Sequence, residues 1–392
     1  MPAGKSLQDR LSAGEKVFAA EGYMFEFNKR GYLKSGAMVP EVVIEHPDLV
    51  TKMHEEFVHA GSDVVLAFTV RLQHSHTTTT TTTTTITLNP YFSHPLPIIT
   101  LLSIQIFSFF SPQYYGNRHK LQVIGRQDEV EQLNRKALKM AREVADNTGT
   151  LMAGNLSNTT VFDPSDKDTV DTVNAMFKEQ VIWAKDEKAD FIVGETFYSL
   201  AEAMLSLEAI KAYGDGLPAV VNIAPTAKGH TVDDVPLEEA CRKLEEAGAA
   251  VVGLNCSRGP KAMVPLLKRV RQACKGPISA LPVPYRTNEE IITYQMFKDP
   301  YTEQYTFPSN MAQFQCSRNE IEFFGNACKE IGVQYIGLCC GNTSDYFRLL
   351  CETCGKTTKA SRYTTDMSNH YLNTDKGLSE YNAKVRKALL GL

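Results

Sequence analysis

The chain lacks the charge imbalance of a nucleic-acid binder. Its 392 residues carry 41 basic and 45 acidic side chains, a net charge of −4. A nucleic-acid-binding surface normally needs a basic excess or a basic stripe. Residues 1–16 have no apolar stretch of the kind a secretory signal requires. No apolar run reaches the ~20 residues of a membrane span. There is no G-x-G-x-x-G turn for a dinucleotide. The only tryptophan, Trp183, lies in a helix-like stretch and reads as packing. Disorder is excluded as well, because 43% of residues are hydrophobic and 22% charged, with the signs balanced.

Cysteine, by contrast, is plentiful: 241, 256, 274, 316, 328, 339, 340, 351 and 354, nine in all. An odd count without a secretory leader fits reduced thiols and a cytoplasmic protein. Cys241, Cys274, Cys316 and Cys328, each alone on a helix-like stretch, read as small buried hydrophobes. Cys351 and Cys354 form one C-x-x-C with no second pair, a weak metal signal.

Residues 70–113 break the texture of the chain. His74-Ser75-His76 leads into unbroken threonine from Thr77 to Thr85, and an apolar run follows from Leu96 to Phe110. That run is too short for a span and is interrupted near its start by Pro97. A lid would be an unusually long irregular loop. The third reading, which we favour, is translated intron. Val70-Arg71 can be written GTA-AGA, like a splice donor, and 107–113 can be a pyrimidine-rich tract ending in CAG.

Elsewhere, short apolar runs recur: 16–20, 63–68, 151–155, 191–195, 219–224, 250–255, 278–282 and 335–339. Continuous apolar character suits strands buried on both faces of a parallel sheet. Amphipathic helical stretches lie between them, including 128–145, 237–247 and 263–274. The phrases "HAGSDVVLAF", "EAGAAVVGLN" and "EIGVQYIGLC" each place a helix-ending glycine just before a strand. The pattern predicts an α/β fold, a (β/α)8 TIM barrel over 1–355, interrupted at 70–113. An open doubly wound sheet is the alternative. Residues 356–392 are polar, end in one short amphipathic helix, and read as a tail or oligomerisation arm.

Chemistry in such a barrel sits at the C-terminal ends of the strands. The strand reading puts Glu195 after strand 4, Cys256 after strand 6 and Cys339-Cys340 after strand 8. Three cysteines with an open fourth position describe a catalytic zinc site. Neighbouring side chains in a strand face opposite ways, so both Cys339 and Cys340 reach one metal only if the chain turns there. Gly337 and Gly341 permit that. Spacing alone leaves zinc ligation and incidental buried cysteines both open.

"VVGLNCSRGP" and "VQYIGLCCGN" resemble the two zinc motifs of the zinc-dependent homocysteine S-methyltransferases. "FNKRGYLKSGAMVPEVVIEHPDLVTKMHEEFVHAGSDVVLAFT" resembles the first barrel units of the family's betaine-using branch. The resemblance runs from about residue 7 to 350. It implies a barrel holding Zn2+ through Cys256, Cys339 and Cys340, with homocysteine sulfur taking the open position and betaine giving up a methyl group to leave dimethylglycine. Beside it, the polar tail leads us to expect a homo-oligomer, and the balanced charge and short apolar run lead us to expect no nucleic-acid or membrane partner. Glu195, in "GETF", matches the acid that holds the homocysteine amino group; a buried carboxylate tied to its surroundings is the blander role.

Two departures stand out. The family's Asp-Gly-Gly turn after strand 1 is Ala20-Glu21-Gly22 here, so the acid that helps seat homocysteine is either missing or moved by one residue to Glu21. The family's tryptophan beside the donor is replaced by Met38, with Tyr115 left as a candidate aromatic wall. These departures keep two alternatives in view: S-methylmethionine or S-adenosylmethionine as donor, and a barrel of this family without turnover.

Overall fold

The computed structural model describes residues 5–32, 41–68, 127–308, 310–364, 368, 370, 372–374 and 377–392. Met38, Tyr115 and the whole of 70–113 lie outside these residues. Eight parallel strands close into a barrel in sequence order: β1 (Val17–Ala20), β2 (Val64–Leu66), β3 (Leu151–Ser157), β4 (Phe191–Phe197), β5 (Ala219–Ile223), β6 (Val251–Asn255), β7 (Ile278–Leu281) and β8 (Tyr335–Leu338). Closure comes from β1 against β8, with Val17 opposite Tyr335 and Ala20 opposite Leu338. Every strand residue is buried, the consequence of helices outside and packed side chains within. Phe191 and Tyr335 meet across the interior, ring centroids 6.3 Å apart.

The helices among the described residues are α1 (Leu7–Ser12), α2 (Tyr23–Lys29), α3 (Glu41–Glu45), α4 (Pro47–Ala60), α5 (Val130–Thr148), α6 (Lys167–Asp186), α7 (Leu200–Tyr213), α8 (Leu237–Glu246), α9 (Pro260–Ala273), α10 (Arg318–Ile331), α11 (Ser344–Thr353) and α12 (Glu380–Leu390). Their ends follow local chemistry. Proline opens α4 and α9, where its missing N–H costs nothing. Ser317 and Glu320 form a capping box at the start of α10, which stops at Gly332 with φ 78°.

The structure corrects some details of the sequence reading. β4 continues past Glu195 to Phe197 through a register shift after Gly194. Glu195 is therefore a residue of the strand. Cys316 lies in a loop, not on a helix, its N–H bonded to the Pro284 carbonyl. Cys339 falls just outside β8. Trp183 is buried on α6, as packing requires. Residues 357–363 lie against the end of α4, where the Ala360 N–H bonds the His59 carbonyl at 3.2 Å. α12 buries none of its side chains in this chain. No helix among the described residues is long and apolar enough to cross a membrane.

Candidate active site

At the C-terminal rim the chain leaves β6 in an unusual way. Cys256 and Ser257 have φ of 58° and 57°, a left-handed conformation that non-glycine residues adopt at a cost of about 1–3 kcal/mol each. This turn swings Cys256 inward, and its N–H is fixed to the Leu281 carbonyl at 2.9 Å. On the other side, Cys339 N–H bonds the Pro282 carbonyl at 2.9 Å. Gly341, with φ 89°, then reverses the chain; a Cβ there would collide with the Tyr285 ring. The tight turn after β8 is what lets adjacent cysteines point to one place.

The three sulfurs converge. Cys256 and Cys340 are 3.9 Å apart, and Cys339 and Cys340 are 3.8 Å apart. All three lie within 4.8 Å of one another and are buried. Tetrahedral zinc with Zn–S bonds near 2.3 Å requires sulfurs about 3.8 Å apart, so the donor set fits that ion. The thiols are electrically inequivalent. Hydrogen bonds from Cys339 and Cys340 hold the Cys256 pKa well below its ordinary value. Donating those bonds, Cys339 and Cys340 are pushed well above theirs. Of the three, Cys256 therefore holds its proton least tightly.

Beside the sulfurs lies a carboxyl pair. Glu21, Glu195 and Cys339 have ligand atoms within 4.8 Å of one another. Glu195 accepts from Asn155 Nδ2 at 2.7 Å and from Asn255 Nδ2 at 2.9 Å. Glu21 lies against both Glu195 and Asn255. Burial raises the pKa of both, and the charge of Glu195 adds to the rise at Glu21. Glu21 is the protonated member, since two carboxylates cannot both stay ionised this close without a cation. Gly22 keeps this corner compact: its φ is 80°, and a Cβ would run into the Cys339 carbonyl.

Sequence reasoning missed Asn155, Asn255 and Tyr294. Asn155 and Asn255 are polar interruptions of otherwise apolar strands, a signal of inward-facing hydrogen bonding. Asn255 Oδ1 also accepts the Thr196 N–H at 2.9 Å and stabilises the irregular end of β4. Tyr294, from the loop after β7, sits 3.9 Å from the Cys256 sulfur. The signal for it is the density of aromatic residues over 285–310, which suits a wall of the substrate site but does not single out Tyr294. A cavity of about 880 Å3 opens on this rim, lined by Tyr198, Thr226, Ser257, Gln295, Met296 and Tyr305 among others. It is spacious enough for a small amino-acid substrate and a donor.

Residues 110–354 match the family model described as homocysteine S-methyltransferase. The chain belongs to the homocysteine S-methyltransferase family. Cys256, Cys339, Cys340 and Glu195 fall within the matched residues. Among curated relatives, betaine–homocysteine S-methyltransferase 1 of Mus musculus is 28% identical over 359 residues, 89% of this chain and 75% of that protein. S-methylmethionine–homocysteine S-methyltransferase of Pongo abelii is 24% identical over 355 residues, covering 89% of this chain and 81% of that one. The metallated form of the Escherichia coli homocysteine methyltransferase shares the fold, with TM-score 0.58 at 14% identity over 86% of this chain and 95% of that chain. The protein is thus an S-methyltransferase of this family.

Proposed function

We propose that the protein transfers a methyl group from betaine to homocysteine, giving methionine and dimethylglycine, at a zinc site formed by Cys256, Cys339 and Cys340. The observation that carries this reading is the trio of buried sulfurs at tetrahedral spacing beside a carboxyl pair. Bound zinc would supply Lewis acidity, lowering the thiol pKa of homocysteine so that its sulfur is a thiolate at neutral pH.

The chain's own residues do the rest. Glu195 and Glu21 take the homocysteine ammonium, whose charge replaces the proton that Glu21 holds in the free protein. Asn155 and Asn255 keep Glu195 aimed at it. Fixed at both ends, the substrate presents its sulfur to the donor methyl, and orientation lowers the barrier. The sulfur lone pair forms the new S–C bond. The C–N bond of betaine breaks, its electron pair staying on nitrogen, so dimethylglycine leaves as the carboxylate with an uncharged tertiary amine that then takes a proton from water. Met38 and Tyr115 are proposed walls of the donor site.

A second reading, S-methylmethionine as donor, is favoured by one observation. Gln295 Oε1 in the cavity wall is a buried acceptor without a partner among the described residues. Betaine has no N–H or O–H to offer it, whereas an amino-acid sulfonium has an ammonium group. The test is methionine formation from homocysteine with each donor in turn, alongside metal content. Turnover with betaine by a protein holding one zinc per chain is expected. Turnover with S-methylmethionine alone would move the assignment to the second donor, and no turnover with either would leave a barrel without this activity.

A further inference from the structure

A metal held by three thiolates poses a chemical problem beside an electrophilic methyl group. Each ligand sulfur has lone pairs of its own. If one attacked the donor, an S–CH3 bond would form on the protein, the donor's C–N or C–S bond would break toward its heteroatom, and the site would lose a charged ligand. Something must make the cysteine sulfurs poorer nucleophiles than the substrate sulfur. Hydrogen bonding to a sulfur lone pair does this, because the donated proton withdraws the electron density that would attack carbon.

Tyr294 is placed for that task. It is 1% exposed, in a loop remote in sequence from both cysteine motifs. Its N–H donates to the Ser257 carbonyl at 3.0 Å, tying the loop to the residue after Cys256. Its hydroxyl oxygen is 3.9 Å from Cys256 Sγ, and it also interacts with Cys340. While Cys256 carries its proton the thiol donates to Oη; with Cys256 as thiolate, the phenol O–H donates to sulfur. The ring cannot turn away. It stacks on Tyr285 with centroids 5.8 Å apart and planes 7° from parallel, and Phe307 meets it edge-on at 5.2 Å. Thr293, Gln295 and Met296, its neighbours in sequence, line the cavity. One residue therefore joins the cavity wall to the metal ligands.

We propose that Tyr294 is a positioning residue whose hydroxyl hydrogen-bonds the Cys256 and Cys340 thiolates and so reserves methyl acceptance for the substrate sulfur. The proposal rests on the three-thiolate zinc site proposed above. Metal content of the wild-type protein tests that site by itself: a protein that binds no zinc ends the zinc reading, whatever Tyr294 does.

The experiment on Tyr294 uses zinc-loaded full chain, wild type and Tyr294→Phe, with iodomethane as the probe and mass mapping of methylated cysteines. Phenylalanine keeps the stacked ring and removes only the hydroxyl. Methylation at Cys256 and Cys340 is expected to accelerate about tenfold relative to Cys339 in the same molecule. Zinc should pass to a competing chelator about tenfold more readily, the lower end of what losing an outer partner of a metal ligand costs. Tyr285→Phe, which alters the stacked neighbour, should leave the Cys256-to-Cys339 ratio at its wild-type value. An unchanged ratio in Tyr294→Phe would overturn the proposal. So would an equal rise at all three cysteines, or the same shift in Tyr285→Phe, since each would mean that Tyr294 only packs the loop.

Discussion

Cys256 contributes the sulfur most easily ionised and owes its position to a strained left-handed turn. Cys256→Ala should leave too few ligands for zinc, and activity should vanish with it. The barrel should remain folded, because a catalytic metal adds less to folding than a structural one. Metal analysis and circular dichroism on the same sample decide this; a variant that still holds one zinc per chain would refute the three-cysteine assignment. Glu195→Gln should act on substrate capture instead. A hydrogen bond to a charged group contributes about 1.5–3 kcal/mol, so KM for homocysteine should rise roughly 10- to 100-fold, with a smaller change in kcat. An unaltered KM would return Glu195 to a structural carboxylate.

At the scale of elements, α4 carries a buried anomaly. His54 is 1% exposed, packs edge-on against Tyr23 at 5.1 Å, and has no partner for either ring nitrogen among the described residues. Burial pushes its pKa down to about 4. An unfolded chain's imidazole titrates near pH 6.5. Between those values the unfolded state binds a proton that the native state refuses. Native stability from this group is therefore complete above about pH 6.5 and is lost as pH falls toward 4. The difference corresponds to about 3 kcal/mol across the window. His54→Met should flatten the dependence of urea unfolding on pH between 6.5 and 4.5. If mutant and wild type lose stability in parallel, another group takes up the proton.

On the scale of the whole molecule, two segments are proposed to lie outside the catalytic barrel. Residues 70–113 join two parts of one barrel, β2 and α5, and we propose that they are dispensable. Their deletion should raise soluble yield while keeping the thermal transition and zinc content, since the apolar run Leu96 to Phe110 invites association. Loss of the folded state on deletion would make the segment a true element. At the other end, α12 exposes Tyr381, Leu389 and Leu390, and we propose that 356–392 serves as an oligomerisation arm. Removing residues 377–392, which leaves the stretch packed on α4 intact, should lower the mass seen by sedimentation. An unchanged mass would end that proposal.

The order of the strands was legible because burial on both faces of a parallel sheet forces apolar runs, and helix-ending glycines mark where three of them, β2, β6 and β8, begin. Gly61, Gly248 and Gly332 all have positive φ just after a helix, as the repeated phrases predicted. The sequence by itself also determined which residue types stand at the rim: Cys256, Cys339, Cys340, Glu195 and Glu21 are all brought to one place. Only the tertiary structure decided how they are arranged. The spacing of the three sulfurs depends on two turns, at Cys256 and Gly341, whose backbone angles no periodicity reports. The partners of Glu195 come from β3 and β6, and Tyr294 comes from a loop distant along the chain; such contacts form when the barrel closes. The seating of Glu21 against Glu195 is likewise a property of β1 and β4 facing one interior, where burial raises both carboxyls, the charge of Glu195 adds to the rise at Glu21, and the Asn155 hydrogen bond holds Glu195 back.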